Sequence, residues 1–274
     1  DDFFKNKHFK ILPIQNWNKN TKFLLEMENQ KYLLILGEKN LSKYKKRLEL
    51  LGDYYRNLAQ VIYINENDSY LLLVYYDNGE GIPLSKCQLD SEEQQWVFQA
   101  LKNILNEIHS HKSSFINFST RFHNKNWYDF IFSYMKAYAD YALEQDDLTT
   151  EDYDFIFKLL EKNKTYFTNV PLNYLHGDIN PDNVCVDFKK KIVYLIDFDD
   201  FLVGDSLYEY AKIMQHKNIP VFQMFKNVDN NVIYSLYLLR EYLLGYCFKK
   251  SNGLDYQDAY NNFQQILKDL KGEV

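Results

Sequence analysis

Glycine is scarce in this chain, at 9 of 274 residues, whereas there are 24 tyrosines and 20 phenylalanines. That balance suits a folded, helix-rich protein and gives no support to disorder. Cysteine is scarcer. Cys87, Cys185 and Cys247 stand far apart, in neither C-x-x-C pairs nor a metal-ligand cluster, so they are expected to be reduced thiols in a cytoplasmic protein. The opening DDFFKNKHFK lacks the basic-then-apolar order of a secretion signal. No apolar run approaches the roughly 20 residues that span a bilayer. Excess positive charge is missing too. A formal charge of −6 gives no general signal for nucleic acid, while it tolerates a cationic small substrate without requiring one. Neither nucleic acid nor membrane is an expected partner, and composition leaves the oligomeric state open.

What is present is enough apolar material, 46% of residues, for one sizeable core or two unequal ones. The first part reads as strands with one helix. His8–Ile14 and Lys22–Glu28 flank a polar turn and predict a hairpin, and Lys31–Leu36 is a further apolar run. Leu41–Asn57 has helical spacing, and Val61–Ile64 and Tyr70–Tyr76 read as two more strands. Asp77-Asn-Gly-Glu-Gly-Ile-Pro83 is the densest cluster of turn residues and reads as a linker. Beyond it the pattern turns helical. Ser91-Glu-Glu-Gln94 predicts a capping box for a helix to about His111, and Asn126–Glu144 a second, aromatic-rich helix. Thr149-Thr-Glu-Asp152 predicts the cap of a third towards Lys162, and later helices are predicted near 205–216, 230–249 and 254–270.

The chemistry concentrates at Leu-His-Gly-Asp-Ile-Asn-Pro-Asp-Asn, residues 175–183, and Tyr-Leu-Ile-Asp-Phe-Asp-Asp, residues 194–200. Strand-like pieces at 184–187 and 192–196, joined by Lys189-Lys-Lys191, predict a hairpin with Asn183 at its entrance and Asp197 at its exit. Phosphoryl transfer asks little covalent work of a protein. It needs a positioned hydroxyl and neutralised charge on the phosphate oxygens. Asp178 would orient the hydroxyl and accept its proton, while Asn183 and Asp197 offer the hard oxygens that suit Mg²⁺ on a nucleotide. His176 is expected to pack and hydrogen-bond to hold the loop. The bland alternative, a polar turn feeding a buried hairpin, explains Pro181 and Asn183 but does not require aspartates at both 178 and 197.

These residues, His176–Val184 with Ile196–Asp200, resemble the catalytic core of the aminoglycoside phosphotransferase and choline kinase-like families, and especially their spore-coat-kinase-like branch, where Asp-Phe-Asp-Asp recurs. The resemblance is specific over about 175–215. It implies an α+β, bilobal protein-kinase-like fold with a small sheet-bearing nucleotide lobe, 1–78, and a larger helical catalytic and substrate lobe, 79–274. It also implies ATP or GTP as donor, Mg²⁺ as cofactor and a small-molecule acceptor. Asp178 would be the base, and Asn183 and Asp197 the metal ligands. Tyr75 and Tyr76 would lie at the hinge whose backbone contacts the nucleotide base. Asp205, in Gly204-Asp-Ser-Leu-Tyr208, would open the next helix as an ordinary N-cap. No A-P-E follows Asp197, so there is no room for a peptide-binding platform.

The chain also departs from the pattern. The turn 15–21 contains no glycine, and Ile35 stands where the resemblance puts a phosphate-binding lysine or arginine. Lys22, Lys31 and Lys39 are the alternative cations, although Lys31 lies about 13 Å along an extended strand from Ile35. The competing class is a catalytically degenerate kinase-like binding or structural protein. His109 and His111, at a helix end, read as surface residues or caps. Asp199 and Asp200 read equally as extra charge beside a metal or as turn residues. The stripe Trp127, Phe130, Phe132, Tyr134, Tyr138 and Tyr141 reads as helix core before it reads as a substrate cage.

Overall fold

The computed structural model describes residues 7–13, 21–28, 30–36, 61–64, 70–74, 81–112, 126–226 and 231–273. The expected helix at 41–57, the turn 15–20 and Tyr75 and Tyr76 lie outside them. The expected strands all form. β1 (Phe9–Pro13), β2 (Thr21–Met27), β3 (Gln30–Leu36), β4 (Val61–Ile64) and β5 (Tyr70–Val74) make an antiparallel sheet of order β1-β2-β3-β5-β4. Period-2 alternation gives this sheet its two faces. Leu25 and Met27 on β2, Tyr32 and Leu34 on β3 and Leu72 on β5 form one buried cluster, with Phe23 packed against it. Full burial of a leucine such as Leu25 contributes about 1.5–3 kcal/mol, so the register of β2 is strongly specified. The opposite face carries Lys22, Leu24 and Glu26, directly across from Ile35, Leu33 and Lys31.

The rest follows in order as β6 (Ile82–Pro83), α1 (Ser91–Ser110), α2 (Trp127–Glu144), α3 (Thr150–Lys162), α4 (Lys164–Asn169), β7 (Asn173–Leu175), β8 (Val184–Asp187), β9 (Ile192–Leu195), β10 (Leu202–Gly204), α5 (Ser206–Ile213), α6 (Pro220–Gln223), α7 (Val232–Ser251) and α8 (Gln257–Glu273). Two compact units result: residues 1–108 with 178–201, and residues 109–177 with 202–274.

In the first unit, the last residues of the turn-rich linker become β6, which pairs with β8 and so adds a third strand to the β8–β9 hairpin. The cap of α1 differs from expectation. Asp90, not Ser91, is the capping residue: its Oδ1 accepts from Glu93 N at 2.9 Å, and Glu93 Oε2 accepts from Asp90 N at 3.0 Å. A carboxylate is a charged acceptor, suited to the positive end of the helix, and here it takes the role from the neighbouring hydroxyl.

In the second unit, Thr149 caps α3 as expected, and Asn126 and Asn231 cap α2 and α7, each side chain accepting a backbone N–H three residues on. α7 buries residues around its whole circumference and packs against α2, α5 and α8, making it the central helix. β7 and β10 form a two-stranded ribbon with Leu175 opposite Leu202 and Asn173 opposite Gly204. A Cβ on Gly204 would lie 2.2 Å from the Trp127 ring, so glycine is required there by close approach. Among the described residues, no helix is long and apolar enough to cross a membrane.

Candidate active site

The β8–β9 hairpin pairs Val184 with Leu195. One step further out, Asn183 O accepts from Ile196 N at 3.0 Å, which places Asn183 beside the residue preceding Asp197. The hairpin therefore brings together the two groups expected at its entrance and exit. Its turn is held by Asp187, whose Oδ1 accepts from Lys190 N at 3.0 Å.

Asp178 lies on the loop before the hairpin, half-buried, and is oriented by two amides. Asn183 Nδ2 donates to Asp178 Oδ2 and to its backbone O, both at 2.9 Å, and Asn180 Nδ2 donates to Oδ2 at 3.0 Å. The Asn180 side-chain oxygen in turn accepts from the N–H groups of Asp182 and Asn183. With Nδ2 committed to Asp178, only Oδ1 of the buried Asn183 can face a cation. The loop is also tied to the 3-10 turn that follows β6, where Ser85 N donates to Pro181 O at 3.0 Å.

Asp197 adopts a left-handed conformation, φ 63 and ψ 69, which costs a non-glycine residue about 1–2 kcal/mol. Its Oδ2 accepts from Lys22 Nζ at 2.9 Å, and among the described residues its buried Oδ1 has no hydrogen-bond partner. A buried carboxylate oxygen left unpaired is costly unless a cation completes it. Among the described residues no group of three or more His, Cys, Asp or Glu could hold a metal ion. Asn183 Oδ1 and the Asp197 carboxylate are hard oxygen donors of the kind that suit an ion such as Mg²⁺, which takes few protein oxygens and completes its shell from phosphates and water. Beyond Asp197 the chain makes a 3-10 turn over Phe198–Asp200, with Phe198 buried and Asp200 exposed.

His176 and Gly177, which precede Asp178 in the chain, belong to the second unit. His176 is wholly buried, and Gly177, at φ 85, donates its N–H to Glu209 Oε1 at 2.7 Å. Glu209 on α5 is itself wholly buried, and its other oxygen meets His109 Nε2 at 2.7 Å. Burial pushes the Glu209 carboxyl up, but the bond and charge of His109, with His176 and the Gly177 N–H, outweigh it and hold the group below the ordinary range. His109 is therefore a buried partner of the loop's anchor, not a surface residue or cap. Glu209 was missed in the sequence. Its one signal is an acid inside the apolar run Leu207-Tyr-Glu-Tyr-Ala211 at the start of a helix.

Asp205 is the N-cap of α5, its Oδ1 accepting from Leu207 N at 3.0 Å. Its Oδ2 accepts from Tyr237 at 2.8 Å and Tyr166 at 3.0 Å, and Trp127 Nε1 donates to the Tyr237 hydroxyl at 2.7 Å. Burial raises the Asp205 carboxyl above its ordinary value against the pull of those donors. The same burial, with the charge of Asp205, lifts the Tyr237 phenol well up, so it stays a donor.

The family model of the phosphotransferase enzyme family matches residues 10–224. The chain belongs to the phosphotransferase enzyme family. Solved structures agree on the fold of this family member. A thermostable mutant of aminoglycoside phosphotransferase APH(4)-Ia, in a ternary complex with ADP and hygromycin B, superposes with TM-score 0.69 at 17% identity over 97% of this chain and 96% of that one. Choline kinase LicA from Streptococcus pneumoniae gives 0.66 at 18% identity, covering 99% and 96%. A mutant aminoglycoside 2'-phosphotransferase-IIIa in complex with GDP gives 0.63 at 13% identity, covering 96% and 92%. At such identities the likeness establishes a kinase-like fold, with a small antiparallel sheet towards the N-terminus and a mainly helical remainder. Comparison with curated proteins gives no match.

Proposed function

We propose that this phosphotransferase-family member is a small-molecule kinase, moving the γ-phosphoryl group of ATP or GTP to a hydroxyl of a small polar molecule of aminoglycoside, choline or sugar type. On this reading 1–78 is the nucleotide-binding lobe and 79–274 the catalytic and substrate lobe, with Tyr75 and Tyr76 beside the nucleotide base. One observation carries the reading: Asn183 ties its amide to Asp178 while Asp197, next along the hairpin, keeps one carboxylate oxygen buried and, among the described residues, unpartnered. ADP, AMP and GDP in the similar structures support a nucleotide donor without choosing its base.

Asp178 accepts the proton of the acceptor hydroxyl as that oxygen bonds to the γ-phosphorus. The bond from phosphorus to the bridging oxygen breaks, and the nucleoside diphosphate departs with its electron pair. Asn180 and Asn183 fix the Asp178 carboxylate so that little reorientation is needed when the hydroxyl arrives. Asn183 Oδ1 and Asp197 would hold Mg²⁺, which would supply neutralisation of charge on the phosphate oxygens.

Calorimetric titration with Mg-ATP and Mg-GTP, followed by turnover on a panel of small alcohols, tests this. Asp178→Asn should bind nucleotide within a few-fold of the native protein and lose about 10²–10⁴ in kcat. Binding without turnover in the native protein would identify a degenerate kinase-like binding protein instead. No binding at millimolar nucleotide would sink the proposal.

A further inference from the structure

Ile35, at the position where a phosphate-binding cation is expected, is apolar and 2% exposed, so it cannot serve. The antiparallel register places Lys22 directly across from it. Residues directly opposite in such a pair share a face, with Cβ atoms about 4.5–5.5 Å apart. A lysine on β2 at that register can therefore deliver its ammonium to nearly the region that a lysine on β3 would reach. It does so here: Lys22 Nζ lies 2.9 Å from Asp197 Oδ2, and the two side chains are 11% and 23% exposed. The other described candidate is worse placed, since Lys31 pairs in register with Glu26 towards the far end of the strands. Lys39 lies outside the described residues.

We infer that Lys22 is the phosphate-binding cation of this enzyme, supplied from the second strand instead of the third, and that its bridge to Asp197 is the nucleotide-free arrangement of that contact. The inference rests on the phosphotransferase reading above. Among the described residues Lys22 makes one hydrogen bond, whereas an ammonium carries three donors. A half-buried ion pair with the partner's second oxygen unsatisfied is weak as a stabilising device. It is well arranged for an anionic ligand. Phosphate oxygens would take the remaining donors of Lys22 beside Asp197, and the ammonium would shift from the carboxylate towards the phosphate when nucleotide binds. Lys22 thus touches substrate, and a vacated β3 position is filled across one strand pair.

The test compares the native protein with Lys22→Met, Lys22→Arg and the exchange Lys22→Ile with Ile35→Lys. Mg-ATP and Mg-GTP affinity is read by calorimetry, kcat/KM by nucleotide turnover, and folding by thermal unfolding. Lys22→Met should weaken binding and lower kcat/KM by about 10²–10³ while remaining folded. The exchange should regain at least about tenfold over Lys22→Met, because it returns a cation to the same sheet face. If Lys22→Met does not fold, the exchange and Lys22→Arg carry the test: nucleotide affinity retained in both supports the inference, and its loss in both overturns it. A native protein that binds nucleotide, with Lys22→Met matching it within threefold, shows a purely structural ion pair and overturns the inference while leaving the phosphotransferase reading intact. A native protein that binds no Mg-nucleotide overturns both.

Discussion

Glu209 shows how much a single residue outside the motif matters to it. Its carboxylate joins His109, the buried neighbourhood of His176 and the N–H of Gly177, whose chain neighbour is Asp178. Because folding holds Glu209 below its ordinary value of 4.5, its stabilising contribution is present above that value and is lost as pH falls through the lower folded value. Asp205 has the opposite sign. Its folded carboxyl is raised, so its contribution is full below its ordinary 3.8 and is lost as pH rises through the folded value. Urea unfolding measured from about pH 7 down to pH 3 should therefore show a loss of stability in acid that is shallower in Glu209→Gln and steeper in Asp205→Asn. Glu209→Gln should also be less stable at neutral pH by about 1–3 kcal/mol, since it exchanges charged hydrogen bonds for neutral ones.

At the scale of elements, local sequence was a reliable guide wherever a segment carries its own period or cap. The strands from β1 to β5, the hairpin β8–β9, the start of α2 beside Asn126 and the cap Thr149 all stand where alternation, helical pattern and capping chemistry put them. The ribbon β7–β10 was not legible, because strands of three residues show no alternation and exist only through each other's hydrogen bonds. The cap of α1 was misread by one residue for a similar reason: Asp90 and Ser91 both suit an N-cap, and backbone direction chooses between them. Denaturation curves should separate them. Asp90→Ala should lose about 1 kcal/mol and Ser91→Ala only a few tenths.

Across the whole molecule, the aromatic surplus finds its use around α7. Arg240, 3% exposed, lies over the rings of Phe130, Tyr134 and Tyr208 at 5.1–5.4 Å and of Tyr138 at 5.9 Å, and pairs with Glu241. Of the stripe on α2, Trp127 and Phe130 are buried core while Phe132, Tyr134, Tyr138 and Tyr141 are only partly buried, and three of its rings lie around the chain's own arginine. Glu241 is held in turn by Gln215 Nε2 at 2.7 Å. Arg240→Met should cost about 3–5 kcal/mol by leaving Glu241 buried without its charge partner. Replacing both with apolar residues should recover much of that loss, measured by urea or guanidinium unfolding.

Local order in the chain was enough to point to the phosphotransferase family, because Asp178, Asn183 and Asp197 sit on one loop and one hairpin, and a hairpin register follows from its own residues. Strand alternation and helix caps were legible for the same reason. Three-dimensional packing settled the contacts that join distant segments. It brought Lys22 to Asp197, Glu209 to Gly177 and Arg240 to the rings of α2. A lysine on β2 and an isoleucine on β3 are unremarkable separately. Their meaning lies in being opposite each other, which depends on how two strands pair and on where the hairpin, far along the chain, comes to rest beside them.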